Sequence, residues 1–151
     1  MPLNNFGAVI SGRLYRAAQP DAEPWPMLKG FGIQTVFKLN GAEYPTDRES
    51  REAGAGVEIR SFDIDQWHPS VKETLGIVSQ IEDALTRGAA LVHCTHGRDR
   101  TGLIIGALRL RVQKWALSRV EQERRVYGVV GLIVLADREI AECLALISGM
   151  K

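Results

Sequence analysis

The chain has 151 residues, 45% of them apolar and 25% charged, with a net charge of +1. That length and balance predict one globular domain over residues 1–151 and exclude a disordered or fibrous chain. A charge so near zero excludes a molecule-wide grip on nucleic acid or an anionic membrane, so any basic site has to be local. The first ten residues hold no cationic stretch leading into an apolar run, and no segment approaches the roughly 18 apolar residues of a membrane span. A cytoplasmic protein is the expectation. Two cysteines, Cys94 and Cys143, are too few for a disulfide framework and read as reduced thiols. Cys143, among Ala141, Leu144, Ala145 and Ile147, reads as core.

In chain order, residues 14–16 read as a strand, 25–30 as a short helix and 35–39 as a second strand. After Pro45, Thr46 with Glu49 three residues on predicts a capping box for a helix that Gly54 closes. Residues 57–62 follow as a strand. Ser70 and Glu73 form a second capping box, and Val71, Leu75, Val78, Ile81 and Leu85 recur at helical spacing up to Gly88. A strand over 89–93 then leads into helices at 102–114, 118–127 (capped by Ser118 and Glu121) and 132–147. Strands alternating with helices predict an α/β fold of three layers, a central, mostly parallel sheet flanked by helices.

The strand at 89–93 runs into His93-Cys94-Thr95-His96-Gly97-Arg98-Asp99-Arg100-Thr101-Gly102, which opens an apolar helix. A loop of this kind turns backbone N–H groups inward at a helix N-terminus, where unpaired donors and the positive dipole end favour an anion. Gly97 supplies a position where a positive φ costs little, and Arg100 offers a two-pronged fork to phosphate oxygens. The field that holds a phosphate also stabilises a thiolate, which makes Cys94 the candidate nucleophile. Thr101 is placed to donate its hydroxyl proton to the sulfur, and His93 to orient the loop. A zinc site built on His93, Cys94 and His96 lacks the distant second ligand pair that structural zinc uses; neither a metal nor a cofactor is called for.

His-Cys, five residues, then Arg-Thr-Gly with a central glycine resembles the phosphate-binding loop of the protein tyrosine phosphatase superfamily. Asn5-Phe6-Gly7 and the run from Gly12 through Arg13, Leu14, Tyr15, Arg16, Ala17, Ala18 and Gln19 to Pro20 are similar to the opening of small atypical dual-specificity phosphatases. The resemblance implies a minimal cysteine-phosphatase fold and hydrolysis through a phosphocysteine, with Cys94, Arg100 and Thr101 catalytic and Thr95, His96, Gly97, Arg98 and Asp99 around the substrate. It also implies an aspartic acid on a separate loop. Asp65, four residues before Pro69 and close to Trp67, is similar to the acid loop of the family's inositol phosphate phosphatases; Asp63 is the alternative. Asp99 is similarly placed to a loop acid of lipid-directed relatives, although helix N-capping is its expected role.

Arg98 and a protonated His96 carry more positive charge than one phosphomonoester needs, which suits a polyanion such as an inositol polyphosphate. Lys38, Arg13 and Arg16 would extend that rim, each more simply read as solvated. The competing readings are a protein tyrosine or dual-specificity phosphatase acting on a phosphoprotein, with Tyr44 or Trp67 flanking the slot, an RNA 5′-triphosphatase, and a non-catalytic phosphate-recognition module. Near-neutral charge counts against stable nucleic-acid binding.

Overall fold

Side chains alternate across a strand, and here that alternation divides the apolar residues between the two faces of one sheet. The structure is a computed structural model describing residues 3–128 and 134–150. Among them are strands β1 (Gly7–Ile10), β2 (Leu14–Ala17), β3 (Ile33–Lys38), β4 (Glu58–Ser61) and β5 (Ala89–His93), in the spatial order β1-β2-β5-β3-β4. β1 runs antiparallel to β2, and the other pairings are parallel. On β5, Ala90 and Val92 face one apolar cluster with Ile81, Leu103 and Ile104. Ala89 and Leu91 face the other, with Trp25 and Leu28. Helices α3 (Val71–Ala84), α4 (Asp99–Arg111), α5 (Leu117–Val126) and α6 (Val134–Ser148) cover the first face, and α1 (Trp25–Gly30) and α2 (Thr46–Ala53) the second. This is the expected three-layer α/β arrangement, with β5 at the centre.

α4 is buried on nearly every side, from Leu103 to Leu110, because α3, α5 and α6 pack around it. Burial of each large aliphatic side chain contributes about 1.5–3 kcal/mol, so the helix that begins at the Cys94 loop is among the most firmly held parts of the molecule. Its charged Arg109 is buried too, and is satisfied by the Glu123 carboxylate at 2.7 and 3.1 Å and by the Val9 carbonyl at 3.0 Å.

Several local expectations are corrected. β1 was not foreseen, and α4 starts at Asp99, three residues earlier than its pattern suggested. α2 has Pro45, not Thr46, at its N-cap; proline offers no side-chain acceptor, the Glu49 N–H donates to the Pro45 carbonyl at 3.0 Å, and the Glu49 side chain is buried. Ala116, not Ser118, caps α5, and Glu121 pairs with Arg124 at 2.7 Å. Ser70 does cap α3 as expected, its Oγ accepting from the Glu73 N–H at 3.1 Å. The expected start of the last helix at Leu132 lies outside the described residues. Cys143 is buried in the first core cluster, and burial pushes its thiol pKa up. Among the described residues no helix is long and apolar enough to cross a membrane.

Candidate active site

In open α/β sheets ligands collect beyond the carboxyl ends of the strands, and β5 delivers His93 and Cys94 to that edge. The loop that follows is clamped from three sides. Gly97 has φ 70°, and a Cβ there would lie 2.6 Å from the carbonyl carbon of Ala17 and the nitrogen of Ala18, so the loop rests directly on the end of β2. The Gln19 N–H donates to the Thr95 carbonyl at 3.2 Å, and Asn5 Nδ2 donates to the His96 carbonyl at 3.0 Å. Arg16 Nη2 donates to the Gly97 carbonyl at 3.1 Å, with its guanidinium 3.6 Å from the Tyr127 ring centroid. The opening motif of the chain is therefore the loop's cradle. Arg16 is 1% exposed, and burial brings its pKa down to about 10. It supports the loop from behind and does not extend a solvated rim.

Cys94 is 2% exposed, and the Thr101 hydroxyl donates to its Sγ at 3.1 Å. The sulfur lies in a cavity of about 190 Å³ lined by Glu43, Gln66, Thr95, His96, Asp99 and Arg100. Of the expected substrate-binding residues, Thr95, His96 and Asp99 line this cavity; Gly97 shapes the loop backbone. Arg98 lies back toward Gly128 and lines a neighbouring cleft of about 360 Å³ with Asn4, Asn5, Gln19, Thr95 and His96. Asp99 occupies the first turn of α4, with Arg98 at the N-cap and no side-chain cap bond, so the capping role expected of Asp99 is not seen. Burial pushes its carboxyl pKa up.

Asp63 and Asp65 line an adjoining cavity of about 340 Å³ with Glu43, Gln66, Trp67 and Arg100. Glu43, Gln66 and Arg100 line both cavities, which places the two side by side. In the arrangement seen, Asp65 Oδ1 accepts from the N–H groups of Trp67 and His68 at 2.9 and 3.2 Å, and Oδ2 lies 3.1 Å from His68 Nδ1. Those donors, the Trp67 N–H first among them, draw its pKa below the ordinary value. Tyr44 does not flank the pocket: its hydroxyl donates to Glu52 at 2.5 Å, Arg48 lies over its ring, and burial first, then Glu52, raises its pKa to about 12. Trp67 is exposed and lines the cleft. Lys38 is fully buried and donates to Asn40 Oδ1 and to the Gly41 carbonyl, so it is a scaffold residue. Arg13 is exposed and donates to the Leu85 carbonyl, away from the cleft.

Glu43 was missed from the sequence. It sits in a 3₁₀ turn over Gly41–Glu43 after β3, and its carboxylate takes Arg100 Nη1 and Nη2 end-on at 2.6 and 2.9 Å and the Thr95 hydroxyl at 2.5 Å. Arg100 holds the Glu43 pKa down to about 2. Burial opposes the Arg100 charge, but Glu43 and the Cys94 sulfur outweigh it and the guanidinium pKa is raised. The Arg100 fork is thus already engaged by a carboxylate in the arrangement seen. Among the described residues there is no group of three or more His, Cys, Asp or Glu placed to hold a metal ion.

The end of β5 thus brings Cys94, the loop after it and Arg100 in the first turn of α4 to one cavity. A sequence profile described as "Tyrosine phosphatase family" matches residues 1–138. The chain belongs to the tyrosine phosphatase family. Inositol diphosphatase DSP5 of Arabidopsis thaliana is 28% identical over 127 residues, covering 82% of this chain and 61% of that protein. Dual specificity protein phosphatase TpbA of Pseudomonas aeruginosa is 30% identical over 119 residues, covering 79% and 53%. The chain thus spans about half to three fifths of the length of these relatives. The crystal structure of P. aeruginosa TpbA superposes with a TM-score of 0.79 at 25% identity over 97% of this chain and 92% of that one. The catalytic core of the S. cerevisiae PP-IP phosphatase SIW14 shares the fold, with a TM-score of 0.77 at 22% identity over 93% and 85%.

Proposed function

We propose that the chain is a cysteine-dependent phosphomonoester hydrolase, acting as one phosphatase domain on a polyanionic substrate such as an inositol polyphosphate. The observation that carries this reading is the Thr101 hydroxyl 3.1 Å from the Sγ of Cys94, a residue that lines the same cavity as Arg100. Cys94 attacks phosphorus as a thiolate, the bond to the leaving oxygen breaks, and an aspartic acid gives that oxygen its proton. Arg100 and the loop N–H groups hold the charge on the equatorial oxygens. Water then attacks the phosphocysteine, its proton passing to the same aspartate. The S–P bond breaks, phosphate leaves, and the Thr101 hydroxyl stabilises the departing sulfur.

Asp65 is the proposed acid, acting after its side chain releases the Trp67 and His68 donors and the loop swings toward Cys94. A specific observation favours a second reading: Asp99 already lines the Cys94 cavity, and burial raises its pKa toward the protonated state an acid needs. The polyanion preference is supported by the neighbouring cleft that the loop residues His96 and Arg98 line, and by likeness to relatives named inositol diphosphatases. Likeness to a dual-specificity phosphatase keeps a phosphoprotein substrate as the alternative.

The test is phosphate release from inositol hexakisphosphate, a diphosphoinositol polyphosphate and a phosphotyrosine peptide, side by side, by wild type, Cys94→Ser, Asp65→Asn and Asp99→Asn. A higher kcat/KM for an inositol substrate, abolished in Cys94→Ser, is expected. Preference for the peptide would make it a protein phosphatase, and binding without turnover a recognition module.

A further inference from the structure

One fully buried carboxylate has no part in the chemistry above. Glu49 lies on α2, an otherwise polar surface helix, yet both it and His93 are 0% exposed, and Glu49 Oε2 lies 2.7 Å from His93 Nε2. Its second oxygen, Oε1, accepts from Gln19 Nε2 at 2.5 Å. Gln19 Oε1 accepts from Asn40 Nδ2 at 2.9 Å, and the same Asn40 amide donates to Thr95 Oγ1 at 3.1 Å. Lys38 holds Asn40 from the other side at 2.9 Å. The two oxygens of one carboxylate thus reach the residue before Cys94 directly and the residue after it through two amide side chains. His93 Nδ1 is buried without a hydrogen-bond partner, so the contact with Glu49 is the polar restraint on that ring.

A buried carboxylate destabilises a fold unless it is well paired. A helix on the far face of the sheet would be held as well by an apolar residue at this position. We infer that Glu49 is a positioning residue for Cys94, fixing the nucleophile through both of its chain neighbours by the relay Glu49–His93 on one side and Glu49–Gln19–Asn40–Thr95 on the other. Its charge faces His93 on β5 and is also felt by Lys38 on β3 and Tyr44 ahead of α2. The inference rests on the proposed phosphatase reading for its kinetic consequence, and on geometry alone for its effect on the thiol.

The experiment compares wild type with Glu49→Ala, Glu49→Gln and Gln19→Met. It reads the Tm, kcat and KM on p-nitrophenyl phosphate, and the rate of Cys94 alkylation by iodoacetamide at one pH. A misplacement of about an ångström costs roughly 10²-fold in rate, so folded Glu49→Ala should lose kcat on that scale with KM changing less, and its alkylation rate should move from that of wild type. Glu49→Gln keeps an oxygen for His93 but offers Gln19 a donor in place of an acceptor, so it should recover part of the lost kcat. Gln19→Met cuts only the Thr95 branch, leaves the buried charge paired with His93, and should also lower kcat; it decides the matter if Glu49→Ala does not fold. Wild-type kcat and alkylation rates in the folded variants, with only Tm reduced, would overturn the inference. If wild type itself fails to turn over the substrate, the phosphatase reading falls, while the alkylation rates still decide the role of Glu49.

Discussion

Replacing Gly97 by alanine should disable the site while leaving the fold intact. The residue has φ 70°, a conformation that costs a non-glycine residue about 1–2 kcal/mol. The new methyl would lie 2.6 Å from two backbone atoms of the Ala17–Ala18 peptide and 2.8 Å from the Ala17 carbonyl oxygen, where contact begins at 3.4 Å. Those atoms belong to the end of β2, paired with the central strand, and cannot retreat as a flexible side chain would. The loop has to lift instead, by about an ångström, straining the bonds from Arg16, Gln19 and Asn5 that hold it down. A shift of that size corresponds to roughly 10²-fold in rate. Strain of about 1–3 kcal/mol at a domain of this size lowers Tm by roughly 2–12 °C. The assay is kcat/KM on p-nitrophenyl phosphate together with vanadate affinity and the far-ultraviolet circular dichroism melt. A Gly97→Ala variant with kcat/KM within a factor of about three of wild type would refute the claim that the β2 contact sets the loop.

Thr101→Val removes the hydroxyl that donates to Cys94 Sγ but keeps the shape; a hydrogen bond to a charged group contributes about 1.5–3 kcal/mol, so breakdown of the phosphocysteine should slow roughly 10–10²-fold and appear as a burst in rapid-quench kinetics, restored by Thr101→Ser. Asp65→Asn should lose roughly 10²–10⁴-fold on an alkyl phosphate, where leaving-group protonation matters, and far less on p-nitrophenyl phosphate; an Asp99→Asn loss of that pattern instead would transfer the acid role. Because burial raises the Asp99 pKa, its native form binds a proton more tightly than the unfolded chain, and the stability this brings is lost as pH rises through the native pKa. Asp99→Asn should therefore melt no lower than wild type at pH 7, and a lower Tm would contradict the burial argument. Glu43 is shifted the other way, from 4.5 to about 2, so its contribution is present at neutral pH and fades as pH falls between those values. The side chain is 51% exposed, which limits the pair to about 1 kcal/mol or less; the Glu43→Gln penalty seen in denaturant melts at pH 7 should be that small and should close near pH 2.

The parts of the site legible in the sequence are those that lie close together along the chain. Cys94, Thr101 and Arg100 fall within one strand–loop–helix unit, and the apolar strand and helix around them carry a strong local signal. Asn40 and Glu43 carry none, Gln19 shows only as part of the opening motif, and Glu49 reads as half of a helix cap. They meet the loop only because β2 and β3 flank β5, and pairing partners across a parallel sheet are separated by whole helices. The same topology explains why Arg16 and Lys38, which read as solvated or rim residues, are neither: each is charged and near a strand end, but each lies on a strand beside the central one and is enclosed. β1 was missed because Gly7, Ala8, Val9 and Ile10 form a run too short for periodicity to separate strand from loop. Thr46 and Glu49 matched a capping pattern that the structure does not use, since the helix starts one residue earlier, with Pro45 at the N-cap and Thr46 already inside it.

The central claim, that Cys94 carries the phosphoryl group during turnover, is tested most directly by acid-quenching the enzyme with a labelled phosphomonoester and mapping the label by mass spectrometry. One phosphoryl group on the Cys94 peptide, increased in Thr101→Val and absent in Cys94→Ser, is the predicted result. Turnover that persists in Cys94→Ser, or a label carried by any other residue, would contradict it.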